Sequence, residues 1–262
     1  MRIRVLGCYG GQLLGFHLSS FLLNDAILLD AGAPTESLTL EEQHRIRHIF
    51  ISHVHLDHIK DIAFLADNRS LKRIGGARDN RKMVVHALPE NLEYLRKHFL
   101  NNIIWPDFTT IPSPEDPILE LRPFRDEEPV EVEGVRITPI RVNHPVPCTA
   151  FLVDEEGVQF LYSADTGPTG RMWEIANAQP GLQGVIIDCS FPNSQKFLAD
   201  LSGHMTPRMV GCELREKFHG LGTVPIYLFH MKPEELNLMT DEIGNEALPL
   251  SRMLTQIDEL IL

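Results

Sequence analysis

The sequence predicts an α/β protein built as a two-sheet sandwich with helices on its outer faces. Three observations carry the prediction. The elements run strands, helices, strands, helices; no linker separates the two halves; and no repeat of fixed spacing appears. The 262 residues suit one large domain, expected to span residues 1–262, and they suffice for a substantial core.

The elements follow in order. "IRVLG" (3–7), "SSFLL" (19–23) and "AILLDAG" (26–32) read as strands separated by short turns, as in a meander. "RHIFIS" (47–52) is a further strand. Beyond it Ile59, Ile62, Ala63 and Ala66 recur at helical spacing, which predicts a helix over about 58–70. "KMVVHA" (82–87) is a strand, and "PENLEYLRKHFL" (89–100) a helix with Pro89 suited to its first turn. Residues 105–128, rich in proline and acidic residues, read as a loop. Strands resume at "VEVEGVRITPIRV" (130–142) and at "TAFLVDEEGVQFLYSAD" (149–165), a hairpin turning near Gly157. "GLQGVIIDCS" (181–190) and "GTVPIYLFH" (222–230) are buried strands, with helices expected over 192–201, 206–219 and 233–246.

Composition narrows the class of function. The net charge of −12 argues against a broad nucleic-acid-binding face. A local basic run, "RSLKRIGGARDNRK" (69–82), reads as a solvated loop. The opening "MRIRVLGCYGG" holds no apolar stretch suited to a signal peptide, and no segment approaches the roughly 20 apolar residues of a membrane span. A cytoplasmic protein without a membrane partner is the expectation. Cys8, Cys148, Cys189 and Cys212 are widely spaced, which excludes a zinc ribbon and predicts reduced, buried thiols.

The chemistry concentrates in "ISHVHLDHIKD" (51–61), where His53, His55, Asp57 and His58 follow an apolar strand. Alternate residues of an extended segment share a face, so His53 and His55 point the same way. Asp57 and His58 follow as the chain turns into a helix. One metal ion can take the first pair and a neighbouring ion the second. Imidazole and carboxylate donors suit zinc, iron or manganese. Further donors must come from other strand ends: His144 in "RVNHPVP", Asp165 in "LYSADTGPTG" and His230 in "IYLFHMKP". Alone, each histidine would be an ordinary structural residue and Asp165 a turn cap. Beside the 53–58 cluster they become candidate ligands, with Asp165 the candidate bridge.

"HVHLDH" resembles the HxHxDH signature of the metallo-β-lactamase superfamily, and His144, Asp165 and His230 match that family's later motifs in order. The resemblance implies a four-layer αββα metallo-β-lactamase sandwich with a dinuclear metal site at one edge. It implies His53, His55 and His144 on one ion, Asp57, His58 and His230 on the other, and Asp165 between them. Within the superfamily, "GFHLSSFLLNDAILLDAG", "HVHLDHI", "IIDCSFPNS", "SGHMTP" and "FHMKP" are similar to class II cyclic-nucleotide phosphodiesterases. Phage enzymes that destroy cyclic-nucleotide immune signals look similar too. Asp61 departs from that pattern, which has a small residue there. The resemblance implies a metal-dependent phosphodiesterase that opens 3′,5′-cyclic mononucleotides, with two divalent ions, zinc first and manganese or iron as alternatives. Relatives are often dimers, so a homodimer is expected.

The alternatives are a tRNase Z-like RNA 3′-processing nuclease and another hydrolase of small esters on the same fold. The nuclease usually carries a long tRNA-gripping arm between the third metal histidine and the bridging aspartate. Here that interval is 21 positions, and the predicted hairpin fills most of it. In the phosphodiesterase chemistry, two ions would share a water and lower its pKa, and the hydroxide would attack phosphorus in line. The leaving sugar oxygen then needs a proton. His204 in "LSGHMTPRMV" is the candidate acid, and Asp57 is counted with it as catalytic through its place on the metal. Asp188 and Ser190 in "IIDCSF" are candidate hydrogen-bonding supports for the ligands. Gly10 and Gly11 allow a tight turn near the site. His17, His44, His48, His86, His98 and His219 have no partner motif and are assigned to surface or core.

Overall fold

Continuous apolar runs such as "FLL" and "ILL" have no polar face, so their strands need cover on both sides. The computed structural model, which describes residues 1–74 and 82–262, supplies it with two seven-stranded sheets packed face to face and helices outside each. The elements are β1 Arg2–Gly7, β2 Ser20–Leu23, β3 Ile27–Leu29, α1 Pro34–Ser37, α2 Leu40–Arg45, β4 His48–Phe50, α3 Leu56–Ile59, α4 Ile62–Ile74, β5 Met83–Ala87, α5 Pro89–Tyr94 and β6 Leu119–Pro123. They continue as β7 Val130–Val132, β8 Val135–Arg141, β9 Thr149–Glu155, β10 Val158–Tyr162, α6 Arg171–Asn177, β11 Leu182–Asp188, α7 Lys196–Ser202, α8 Pro207–Lys217, β12 Ile226–Phe229, α9 Leu236–Glu246, β13 Ser251–Met253 and β14 Glu259–Ile261.

The first sheet runs β14-β1-β2-β3-β4-β5-β6 and the second β13-β12-β11-β10-β9-β8-β7. In each, an antiparallel half leads into a parallel half: β3 to β6 in the first, β10 to β13 in the second. Three apolar cores separate the layers. Phe21, Phe50, Phe151, Tyr162 and Phe229 lie between the sheets. Leu22, Leu28, Ile49, Ile62 and Leu65 join the first sheet to α4 and its neighbours. Leu161, Val185, Trp173, Val210, Leu214 and Met239 join the second sheet to α6, α8 and α9. Phe21 and Leu22, adjacent in sequence, serve different cores, as the two-residue strand period requires. The expected αββα sandwich is therefore the observed fold.

Several local expectations are corrected. Residues 105–128 are not all loop, because β6 lies within them as an edge strand paired in parallel with β5. Only one flank of an edge strand must be satisfied by the sheet, so its Pro123 and half-exposed charges hid it. The segment 130–142 is a hairpin rather than one strand, turning at Glu133 and Gly134 with φ of 50° and 80°. The second hairpin turns at Glu156 and Gly157, φ 54° and 86°. Two consecutive positive φ values match the right-handed twist of the flanking strands, which favours glycine at the second position. The helix expected over 58–70 divides into α3 and α4, where the Asp61 amide donates to Ala31 O at 2.9 Å. The helix from Pro89 winds as α5 and then as a π-helical turn over Leu95–Phe99. The short elements α1, α2, α6, β13 and β14 lacked a strong period and were not foreseen.

Cys8, Cys148 and Cys189 are buried as expected, but Cys212 is exposed on α8. Residues 75–81, half of the basic run at 69–82, fall outside the described residues. No helix among the described residues is long and apolar enough to cross a membrane.

Phe151 is fully buried between the sheets, with ring centroids 5.9 Å from both Phe50 and Phe124. Phe151→Ala should cost about 3–5 kcal/mol of unfolding free energy, read from the urea midpoint at unchanged slope. A loss below about 1 kcal/mol would mean that this face is not the packed centre of the sandwich.

Candidate metal centre

Strands of both sheets end at one edge, and the chemistry-bearing side chains stand there. β4 feeds His53, His55, Asp57 and His58; β8 precedes His144; β10 precedes Asp165; β12 runs into His230. Non-glycine residues in the left-handed region follow β3, β10 and β12: Asp30 (φ 57°), Ala164 (φ 51°) and His230 (φ 70°). Each such residue costs about 1–3 kcal/mol, so the surrounding contacts must hold it there.

All seven predicted donors come together. The donor atoms of His53, His55, His144 and Asp165 lie within 4.8 Å of one another. So do those of Asp57, His58, Asp165 and His230. Asp165 belongs to both groups. Its Oδ2 lies 3.5 Å from His53 Nε2, 3.2 Å from His58 Nε2 and 3.3 Å from His230 Nε2. Asp57 Oδ2 is 3.2 Å from His230 Nε2.

The partners on the far side of each ring decide what these atoms can do. His58 Nδ1–H donates to Asp30 Oδ2 at 2.8 Å, and His144 Nδ1–H to Gly203 O at 3.1 Å. The Ser190 hydroxyl donates to Asp188 Oδ1 at 2.7 Å, so it accepts from His230 Nδ1–H at 2.8 Å. The Ser52 hydroxyl donates to Asp30 Oδ2 at 2.8 Å and accepts from His53 Nδ1–H at 3.0 Å. With these protons committed, each neutral ring turns an Nε2 lone pair inward. In the neutral rings, His58 Nε2 and His230 Nε2 then face each other at 3.4 Å as two lone pairs. His144 Nε2, its Nδ1 proton committed to Gly203 O, meets His55 Nδ1 at 3.4 Å. His53 Nε2 and Asp165 Oδ1 are buried with no hydrogen-bond partner. Buried polar atoms left unpaired are costly, and lone pairs converging on a small volume call for a cation. Imidazole and carboxylate donors fit a divalent ion of the zinc, iron or manganese kind.

Electrostatics divides the histidines. Burial holds His53 well below the usual imidazole pKa, with His58 adding to the effect. Burial also lowers His55, and takes His144 down to about 4. These three are neutral donors near neutral pH. For His58, burial is opposed and outweighed by Asp165, Asp30 and Asp57, which raise its pKa. Positive charge is favoured where those three carboxylates meet.

His204 stands beside the second group. Its Nδ1–H donates to Asp188 Oδ2 at 2.6 Å, and its ring stacks on His230 with centroids 5.0 Å apart. Burial opposes its charged form, but Asp188 outweighs burial and its pKa is raised. Ser190 supports the candidate ligand His230 as expected, whereas Asp188 reaches it only through Ser190 and bonds His204 directly. Asp165, Asp188, His204 and His230 also form a compact group, yet Asp188 and His204 are already paired with each other there.

Sequence reasoning missed Asp30. Its carboxylate accepts from the Ser52 amide and hydroxyl, His58 Nδ1–H and the Tyr162 hydroxyl, all at 2.7–2.8 Å. Burial and the Asp30 charge raise the Tyr162 phenol, so it stays a donor. The one available signal was an aspartate closing the apolar run "AILLD". Two glycines bring backbone close to ligands. A Cβ on Gly10 would stand 2.6 Å from the His230 ring, and one on Gly32 would stand 2.0 Å from Asp57 O. Asp61, the departure from the family pattern, is buried and accepts from the Thr35 amide at 2.8 Å, tying α1 to the α3–α4 junction.

A family model described as the beta-lactamase superfamily domain matches residues 25–231. The chain belongs to the beta-lactamase superfamily. A probable 3′,5′-cyclic-nucleotide phosphodiesterase of Yersinia pestis is 29% identical over 212 residues, covering 72% of this chain. The matched region is only 57% of that relative's own length. Unliganded yeast PDE1 superposes with a TM-score of 0.82 at 18% identity, covering 100% of this chain and 99% of that one. Human tRNase Z, short form, superposes with a TM-score of 0.71 at 16% identity, covering 100% and 99%. At these identities the two structures show the shared fold. This superfamily member has the fold, the donor set and the relatives of a metal-dependent hydrolase.

Ser190→Ala removes the acceptor that orients His230. Affinity for zinc or manganese should fall about 10- to 100-fold by chelator competition, with the fold retained. Unchanged affinity would separate His230 from metal binding.

Proposed function

We propose that the protein is a metal-dependent phosphodiesterase that hydrolyses 3′,5′-cyclic mononucleotides. The observation that carries this reading is the pair of donor groups sharing Asp165, with His204 beside them on a hydrogen bond to Asp188. The name of the Yersinia pestis relative supports the substrate class.

His53, His55 and His144 would hold one divalent ion, Asp57, His58 and His230 a second, and Asp165 would bridge them. When bound, such ions supply an activated water and offset the negative charge of the phosphodiester. The chain's own residues do the rest. Asp30, Ser52, Ser190 and Gly203 O fix the Nδ1 protons of four ligand histidines, so each Nε2 is kept as a donor to the centre. Asp188 fixes the Nδ1 proton of His204 and stabilises its imidazolium. Nε2–H of that imidazolium is then the proton source for the departing sugar oxygen. Without a positioned acid the departure is slower by about 10²–10⁴-fold.

The nuclease alternative needs an arm to grip RNA. The interval from His144 to Asp165 is occupied by the β9–β10 hairpin, which is part of the second sheet. That leaves no arm in this interval, and the net charge of −12 suits a small substrate better than an RNA backbone.

Purified protein loaded with zinc or manganese should open a 3′,5′-cyclic mononucleotide, and EDTA should stop it. His204→Ala should retain its metal and lose about 10²–10⁴-fold in kcat. Asp57→Ala should lose both metal and turnover. Cleavage of pre-tRNA with no action on any cyclic nucleotide would replace this reading with the nuclease.

A further inference from the structure

We propose that Arg208 reads the base of the substrate and gives the enzyme a preference for guanine. This rests on the reading of the protein as a cyclic-nucleotide phosphodiesterase. If His204 protonates the leaving sugar oxygen, the ribose must lie against His204. A cavity of about 230 Å³ is lined by His204, His144 and Gly203, and its wall includes Pro168 and Asp200. Those same two residues also line a second cavity, of about 340 Å³. The two hollows therefore adjoin across one shared boundary. Together they have the dimensions of a nucleoside site, since ligand pockets run to about 300–1,000 Å³.

The outer cavity has the composition of a base pocket. Pro168 and Met209 offer apolar surface on which a flat ring can lie, and Arg208 stands on its wall. Arg208 is exposed at the start of α8, and its guanidinium pairs with no carboxylate among the described residues. Its backbone amide is occupied by Asn193 Oδ1 at 3.0 Å, which fixes the residue's Cα while leaving the side chain for a ligand. The neighbouring cation differs, because Lys196 is already paired with Asp200 at 2.6 Å.

A guanidinium presents only donors, in a planar fork. Guanine offers two adjacent acceptors on one edge, N7 and O6, which match that fork. Adenine places an amino donor next to N7, and uracil sets a ring N–H between its two oxygens; cytosine does offer adjacent acceptors, N3 and O2, but on a single ring that covers less of the apolar wall of Pro168 and Met209. The arginine fork therefore favours guanine over adenine and uracil, and the apolar wall favours its double ring over cytosine.

The experiment is a comparison of kcat and KM for cyclic GMP, AMP, CMP and UMP in the native enzyme and in Arg208→Ala. The native enzyme should show its lowest KM with cyclic GMP. Arg208→Ala should raise that KM about tenfold to a hundredfold, leave kcat nearly unchanged and barely move KM for cyclic UMP. Turnover in which the substitution leaves the ratios among bases unmoved overturns this inference alone. Turnover of none of the four overturns both this inference and the proposed function.

Discussion

A carboxylate closed off from solvent and ringed by three imidazole Nε2 atoms is the constraint on which the site depends. Asp165 is almost fully buried, and three Nε2 atoms approach its Oδ2 within 3.5 Å. Ionised and unpaired, such a group would be strongly destabilising. Desolvation raises its pKa, while His230, His58 and His53 outweigh that effect and hold it well below the ordinary value. The carboxylate therefore stays negative and needs positive charge close by. A divalent cation held beside Asp165 would satisfy that demand.

The outer ring of hydrogen bonds turns this demand into geometry. Asp30, Ser52, Ser190 and the Gly203 carbonyl each take one Nδ1 proton. Of these, Asp30 is the most connected, and it joins the two sheets: it ends β3, orients His58 and accepts from Tyr162 of β10. The inter-sheet aromatic core and the metal centre therefore share a residue, Tyr162, whose ring packs against Phe21 and Phe229. Disturbing that core should loosen the ligands as well as the fold.

What the sequence made legible follows from how local each signal was. The 53–58 cluster is local, because a strand and the turn after it place four donors in six positions. His144, Asp165 and His230 were legible as polar residues closing apolar runs and, beyond that, only through the resemblance to the family's later motifs. Their convergence is a property of sheet order, which no local period encodes. Asp30 was missed because an aspartate after "ILL" looks like an ordinary turn former; its four donors come from residues up to 132 positions away. The three strand ends in the left-handed conformation were missed too, because none of them is a glycine. A two-sheet sandwich was compatible with the order of strands and helices, but its four-layer form was implied only by the family resemblance. Strand β6 was not, because an edge strand tolerates the proline and charges that elsewhere mark a loop.

The central claim is that the seven donors form one centre for two cations. Anomalous diffraction from crystals grown with excess zinc or manganese tests it most directly. The account predicts two peaks about 3.5–4 Å apart, one beside His53, His55 and His144, the other beside Asp57, His58 and His230, with Asp165 between them. A single peak, none, or a pair lodged elsewhere would contradict it.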